Sequence, residues 1–143
     1  MLSNEPIFRI YAELADILHL GATPYGDRRV INILGGRVEG TRLSGRILSG
    51  GADWQIVRPD GVADLCARYT IERDGGARIL VASDGLRHGP ADVIARLAAL
   101  YYFRTAMRFE TSDPSAAWLN RIIAIAYGAR EPRAVRLDVF EVL

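Results

Sequence analysis

Turn signals recur along this chain every eight to twelve residues, and short apolar runs separate them. Fourteen glycines punctuate the sequence. Gly35-Gly36, Gly50-Gly51, Pro59-Asp60-Gly61 and Asp74-Gly75 each follow or precede such a run. Proline presets φ and glycine accepts positive φ, so these clusters turn the backbone sharply. That spacing leaves no room for long helices and predicts strands joined by tight turns, the pattern of a sandwich or barrel.

The runs predict strands over Ile7–Leu14, Arg28–Leu34, Leu43–Leu48, Trp54–Arg58, Leu65–Arg73, Ala77–Ser83, Tyr102–Thr111, Asn120–Tyr127 and Val135–Val142. Gly35-Gly36 is read as the end of the second of these. One helix is expected over about residues 90–100. Pro90 suits its first turn, and Val93, Ile94, Leu97 and Leu100 recur at helical spacing. Asp113-Pro114 opens a further single turn through Trp118. The expected fold is all-β: a closed or nearly closed antiparallel barrel of about eight strands with one short helix. Closure removes exposed strand edges. At 143 residues the chain is expected to be one domain, residues 1–143, large enough to hold a core without metal or disulfide.

Composition narrows the function. Eighteen basic residues oppose seventeen acidic ones, for a net charge of +1. No sign-biased field attracts nucleic acid or an anionic membrane. All the basic residues are arginine, which removes Schiff-base chemistry and a P-loop lysine. Two histidines, His19 and His88, and one cysteine, Cys66, make a zinc site of the usual kind unexpected. No metal and no cofactor is expected. No run approaches eighteen apolar residues, so no membrane helix is expected. Residues 1–6 lack the basic and apolar regions of a signal peptide, and a lone thiol suits a reducing compartment. A cytoplasmic location is expected.

The candidate site rests on three segments. In Tyr101–Thr111, alternation puts Tyr102, Arg104 and Glu110 on one face of a strand and Phe103, Thr105, Met107 and Phe109 on the other. Facing water, the polar set is an ordinary amphipathic strand. Facing a lumen, it supplies a phenol, a guanidinium and a carboxylate to an oxygen-rich ligand. Asp53 and Trp54 follow the Gly50-Gly51 bend. Asp53 either caps that turn or sits desolvated in an apolar pocket with Trp54 as a wall, where a raised pKa suits acid–base work. Arg68 and Tyr69 lie on a strand with Glu72, and a cross-strand ion pair competes with a ligand role there. Asn120 either braces the Asp113-Pro114 turn or reaches the lumen. The lumen reading assigns catalysis to Asp53, Glu110 and Tyr102, and substrate binding to Arg104, Trp54, Arg68, Tyr69 and Asn120.

Taken together and in order, Gly35–Gly40 (GGRVEG), Gly50–Gln55 (GGADWQ), Arg58–Gly61, Ala67–Ile71 (ARYTI), Tyr101–Thr111 and Trp118–Asn120 resemble the DUF3237 family, also called UPF0311. The resemblance runs from about Phe8 to Val142. It implies a small antiparallel barrel with a central cavity, often dimeric, and assigns no activity. The residue inventory favours a cofactor-independent lyase, isomerase or cyclase acting on an oxygen-rich or aromatic small molecule. A non-catalytic carrier or sensor of a small-molecule ligand is the alternative, and a structural module with a packed lumen is a third. Apolar residues left on outer strand faces predict a homodimer.

Overall fold

In a computed structural model the chain is described over residues 1–90 and 101–143. Ten strands form one antiparallel sheet: β1 (Phe8–Leu14), β2 (Leu18–Thr23), β3 (Gly26–Glu39), β4 (Gly45–Ile47), β5 (Ala52–Val57), β6 (Ala63–Arg73), β7 (Arg78–His88), β8 (Tyr102–Thr111), β9 (Ala124–Glu131) and β10 (Ala134–Glu141). The helix expected over about residues 90–100 lies outside the described residues, apart from Pro90.

The sheet closes because β1 pairs with both β10 and β3. The result is an eight-strand barrel with two extra strands. Two positions are shared. The short β4 and β5 both bridge β3 and β6, one after the other, with the Gly50-Gly51 bend between them. In the same way β1 and β2 both lie against β3, β1 on its later half and β2 on its first residues. β2 carries Leu18, Leu20 and Ala22 at alternate positions and was legible as a strand, but the strand expectations omit it.

The Gly35-Gly36 pair does not end a strand. β3 runs through it for 14 residues. The pairing with β1 slips here, from Glu13↔Gly35 to Leu14↔Ile33. At Gly36 φ is +141°, and a Cβ would stand 1.9 Å from the Tyr11 carbonyl oxygen. The glycines therefore form an irregularity at the seam of the barrel, where two backbones approach too closely for any side chain. The strand expected from Asn120 starts instead at Ala124. A 3-10 helix, η1, occupies Pro114–Arg121, with the Asp113 side chain accepting from the Ser115 N–H at its N-cap.

The interior has two unlike halves. Toward η1 it is packed with Phe8, Ile10, Val38, Ile71, Ile79, Val81, Met107, Phe109 and Val139, all buried. The Phe8 and Phe109 rings meet edge to face at 5.7 Å. Ala116 and Leu119 of η1 belong to the same core and plug that end. Toward the other end the inward positions become small: Ala67, Ser83, Gly85 and Ala126. Small barrels normally fill their axis with bulky side chains. Here the deficit of volume leaves a cavity. Among the described residues no helix is long and apolar enough to cross a membrane.

Candidate functional site

The cavity is ordered by register. One layer of inward positions runs Ile31, Asp53, Ala67, Ser83, Met107 and Ala124 around five successive pairings. The next layer, toward the end where β7 finishes and β8 begins, holds Arg29 and Gln55 on one side and Leu65, Gly85, Thr105 and Ala126 on the other. Beyond it stand Ala63, Arg87 and Phe103. Arg130, Tyr69, Val135 and Leu137 complete the wall. The enclosed space is about 50 Å³, room for three or four water-sized groups.

Asp53 is the only carboxylate among the described lining residues. One of its oxygens accepts the Cys66 backbone N–H at 2.8 Å, and the other accepts the Gln55 amide at 2.7 Å. The regular pairing of β5 with β6 lapses between Asp53 and Ile56, so the side chain takes a donor that the ladder leaves free. Gln55 in turn accepts Arg29 Nε at 2.9 Å through its side-chain carbonyl oxygen. Burial pushes the Asp53 carboxyl above its ordinary value, while the two hydrogen bonds and the charges of Arg87 and Arg29 act against that rise.

Three guanidinium groups surround the Asp53 carboxyl: Arg87 and Arg130 line the cavity, and Arg29 stands behind Gln55. Arg29, Arg87 and Arg130 are each held below the ordinary arginine value, first by burial. Arg29 and Arg130 also repel the charge on Arg87. Arg130 Nη1 donates to the Ala134 carbonyl at 3.2 Å, and the Arg130 backbone N–H donates to Tyr101 Oη. The Tyr69 phenol is pushed up by burial and then by the Asp53 charge. Tyr69 Oη and Thr105 Oγ1 are buried without a hydrogen-bond partner among the described residues. The arrangement therefore offers one desolvated carboxyl, three cations and two unsatisfied hydroxyls above an apolar floor.

The expected site residues separate cleanly. Asp53 and Tyr69 stand in the cavity. Tyr102, Arg104 and Glu110 do not: Phe103, Thr105, Met107 and Phe109 turn inward, and the polar set lies on the outer face. The reason is register. The apolar set completes the core, and a slip of one residue would put charge into it. Outside, the Arg104 guanidinium lies 4.1 Å from the Tyr127 ring centre, Tyr102 stacks on His88, and Glu110 is exposed opposite Leu80. Trp54 points outward between Asp53 and Gln55 and is 41% exposed, so it is no cavity wall. Arg68 forms a cross-strand ion pair on the surface, with Asp84 of β7 at 2.9 Å. Asn120 braces the turn after β8, with its side chain bonded to the backbone N–H and C=O of Thr111.

The sequence reasoning missed Arg29, Gln55, Ser83, Arg87, Thr105 and Arg130. Gln55 and Thr105 were reachable by alternation, since each lies two residues from an inward position. The three arginines carried no signal separating them from the other fifteen. Among the described residues no group of three or more metal-ligating side chains occurs.

The match to known proteins covers this whole architecture. A UPF0311 protein of Rhodopseudomonas palustris is 40% identical over 99% of this chain and 97% of its own length. The crystal structure of a conserved protein of unknown function from the same species superposes with a TM-score of 0.94 at 38% identity, covering 100% of this chain and 99% of that one. An enzyme from Penicillium herquei shares the fold at a TM-score of 0.68 and 19% identity, over 99% of this chain and 97% of that one. Residues 2–142 match the family described as protein of unknown function (DUF3237), and the chain belongs to that family.

Proposed function

We propose that this barrel is a cofactor-independent acid–base enzyme acting on a small oxygen-rich molecule in its lumen, of lyase, isomerase or cyclase type. The observation that carries the proposal is Asp53: a carboxyl raised by burial, facing the cavity, with guanidinium groups beside it. A raised carboxyl is a stronger base than an ordinary aspartate and is suited to take a proton from carbon or oxygen and return it elsewhere. Arg87 and Arg130 are placed to stabilise negative charge that develops on a ligand oxygen, an interaction that strengthens in a water-poor site. Tyr69 Oη supplies a hydrogen-bond donor to the same space. Tyr102, Arg104 and Glu110 have no part in it. The fold is also that of an enzyme from Penicillium herquei, although likeness at 19% identity carries only the architecture.

The test is proton exchange. A panel of enolisable oxo and hydroxy acids is incubated with the protein in D2O and followed by NMR. The expected result is exchange at a carbon next to a carbonyl, lost in Asp53→Asn. Absence of exchange across the panel, or exchange that survives the substitution, overturns the reading.

A second reading, a binding barrel without turnover, is favoured by the small volume of the cavity, about 50 Å³. It predicts binding with no exchange. The third alternative, a structural module with a packed lumen, is disfavoured by the space of about 50 Å³ beside Asp53.

A homodimer stands as part of the proposal. Leu18, Val30 and Trp54 are in register on the outer faces of β2, β3 and β5, and Leu18 and Trp54 are exposed. Light scattering at twice the 15.8 kDa chain mass is expected, and the chain mass itself at high concentration contradicts it.

A further inference from the structure

Tyr69 on β6 and Thr105 on β8 stand on either side of β7, and each is 5% exposed. Both side chains line the cavity, and neither hydroxyl has a hydrogen-bond partner among the described residues. Buried polar atoms are almost always paired, so two orphans in one cavity mark a place where an oxygen atom belongs. The same cavity receives the guanidinium groups of Arg87 and Arg130. Both are partly stripped of water by burial, which favours an anion between or beside them. The remaining wall is carbon: Leu14, Leu65, Phe103, Val135 and Leu137.

Size restricts the ligand further. About 50 Å³ accepts a handful of non-hydrogen atoms. We propose that the site binds a small hydroxy acid, with its carboxylate on Arg87 and Arg130 and its hydroxyl oxygen between Tyr69 and Thr105. A planar carboxylate matches the guanidinium fork, and the short carbon skeleton lies on the apolar wall. This inference rests on the reading of the cavity as a ligand site and names the class of ligand. It does not depend on Asp53 performing proton transfer.

The test uses three probes of nearly equal shape: lactate, propanoate, which lacks the hydroxyl, and lactamide, which lacks the charge. Binding is read by NMR titration of the arginine Nε–Hε signals in the full chain. Lactate is expected to bind about tenfold more tightly than either of the others. Tyr69→Phe is expected to bring lactate down to the level of propanoate and to leave propanoate unchanged. Thr105→Val is a second variant with the same expectation, should the first perturb folding. Arg87→Met with Arg130→Met is expected to remove the advantage of lactate over lactamide. Equal binding of the three probes overturns the proposal, as does no binding up to ~50 mM. Equal loss of lactate and propanoate in Tyr69→Phe also overturns it. So does lactate affinity unchanged by both hydroxyl variants, which would assign the two hydroxyls to buried water. Lactate binding without proton exchange defeats only the enzyme reading. Exchange on another ligand class, without lactate binding, defeats only this one.

Discussion

The Gln55 side-chain amide donates to Asp53 at 2.7 Å, and both residues face the lumen from the same short strand. Gln55 is itself 2% exposed, so this contact is shielded from water. It opposes the burial that raises the Asp53 carboxyl, because it favours the charged form. Removing it has a direction that can be read. Gln55→Leu should move the acid limb of any Asp53-dependent pH profile upward. The variant also strands Arg29 without its 2.9 Å acceptor, and a loss of about 1–3 kcal/mol in stability is expected from chemical denaturation. An unmoved pH profile would show that Asp53 is not the titrating group.

Asp53→Asn should remove acid–base activity and, with it, the pH dependence that this carboxyl gives to stability. Its NH2 would also face one of the two donors that Asp53 now accepts from, at a cost at every pH. The folded carboxyl lies above its unfolded value. Between those two values the folded state holds a proton that the unfolded state has released, so stability falls as pH rises through this window. Above it the penalty is complete, and below the unfolded value it is absent. The melting temperature of the parent relative to the variant should therefore rise as pH falls through this window, by about 4 °C per kcal/mol. A parent that loses ground to the variant in acid contradicts the assignment.

Gly36→Ala should unfold the seam of the barrel. The new Cβ meets the Tyr11 carbonyl oxygen, and φ at this position suits glycine alone. A loss of at least about 2–3 kcal/mol is expected in urea denaturation. Gly50→Ala also has positive φ but meets nothing nearby, so it should cost clearly less.

Arg104→Ala should leave lumen chemistry within about twofold of the parent, because the guanidinium packs on Tyr127 and Tyr102 outside the barrel. Its cost is the lost cation–π contact, about 0.5–1 kcal/mol in thermal denaturation. A large loss of activity with intact folding would place the chemistry on the outer face.

Ala67→Leu should fill the cavity beside Asp53. The branched side chain enters space that the small layer leaves open, so the barrel should still fold, at a cost of about 1–3 kcal/mol where it overpacks. Ligand binding should be lost, as seen in a flat titration of the arginine Nε–Hε signals.

Much of this protein was legible before any coordinates. Turn residues such as Pro59-Asp60-Gly61, and period-two alternation along Tyr102–Thr111, specify strands and tight connections through local backbone sterics alone. Composition lacks lysine, which removes Schiff-base chemistry and a P-loop lysine. Asp53 was a candidate as a carboxyl after a glycine bend, and Tyr69 as the neighbour of Arg68 on a strand; both side chains line the cavity. What alternation does not state is which face of a strand is the inside. Tyr102, Arg104 and Glu110 form as good a face as Phe103, Thr105, Met107 and Phe109 until the partners across the sheet are known. Closure of β1 onto β3 and β10 decides it, by giving the interior one volume for the apolar set to fill. The same closure brings Arg29, Arg87 and Arg130, separated by up to a hundred residues, around one carboxyl. Each is an ordinary strand arginine in the sequence. Only the ring of strands sets them in a common space poor in water, where burial lowers their pKa and raises that of Asp53.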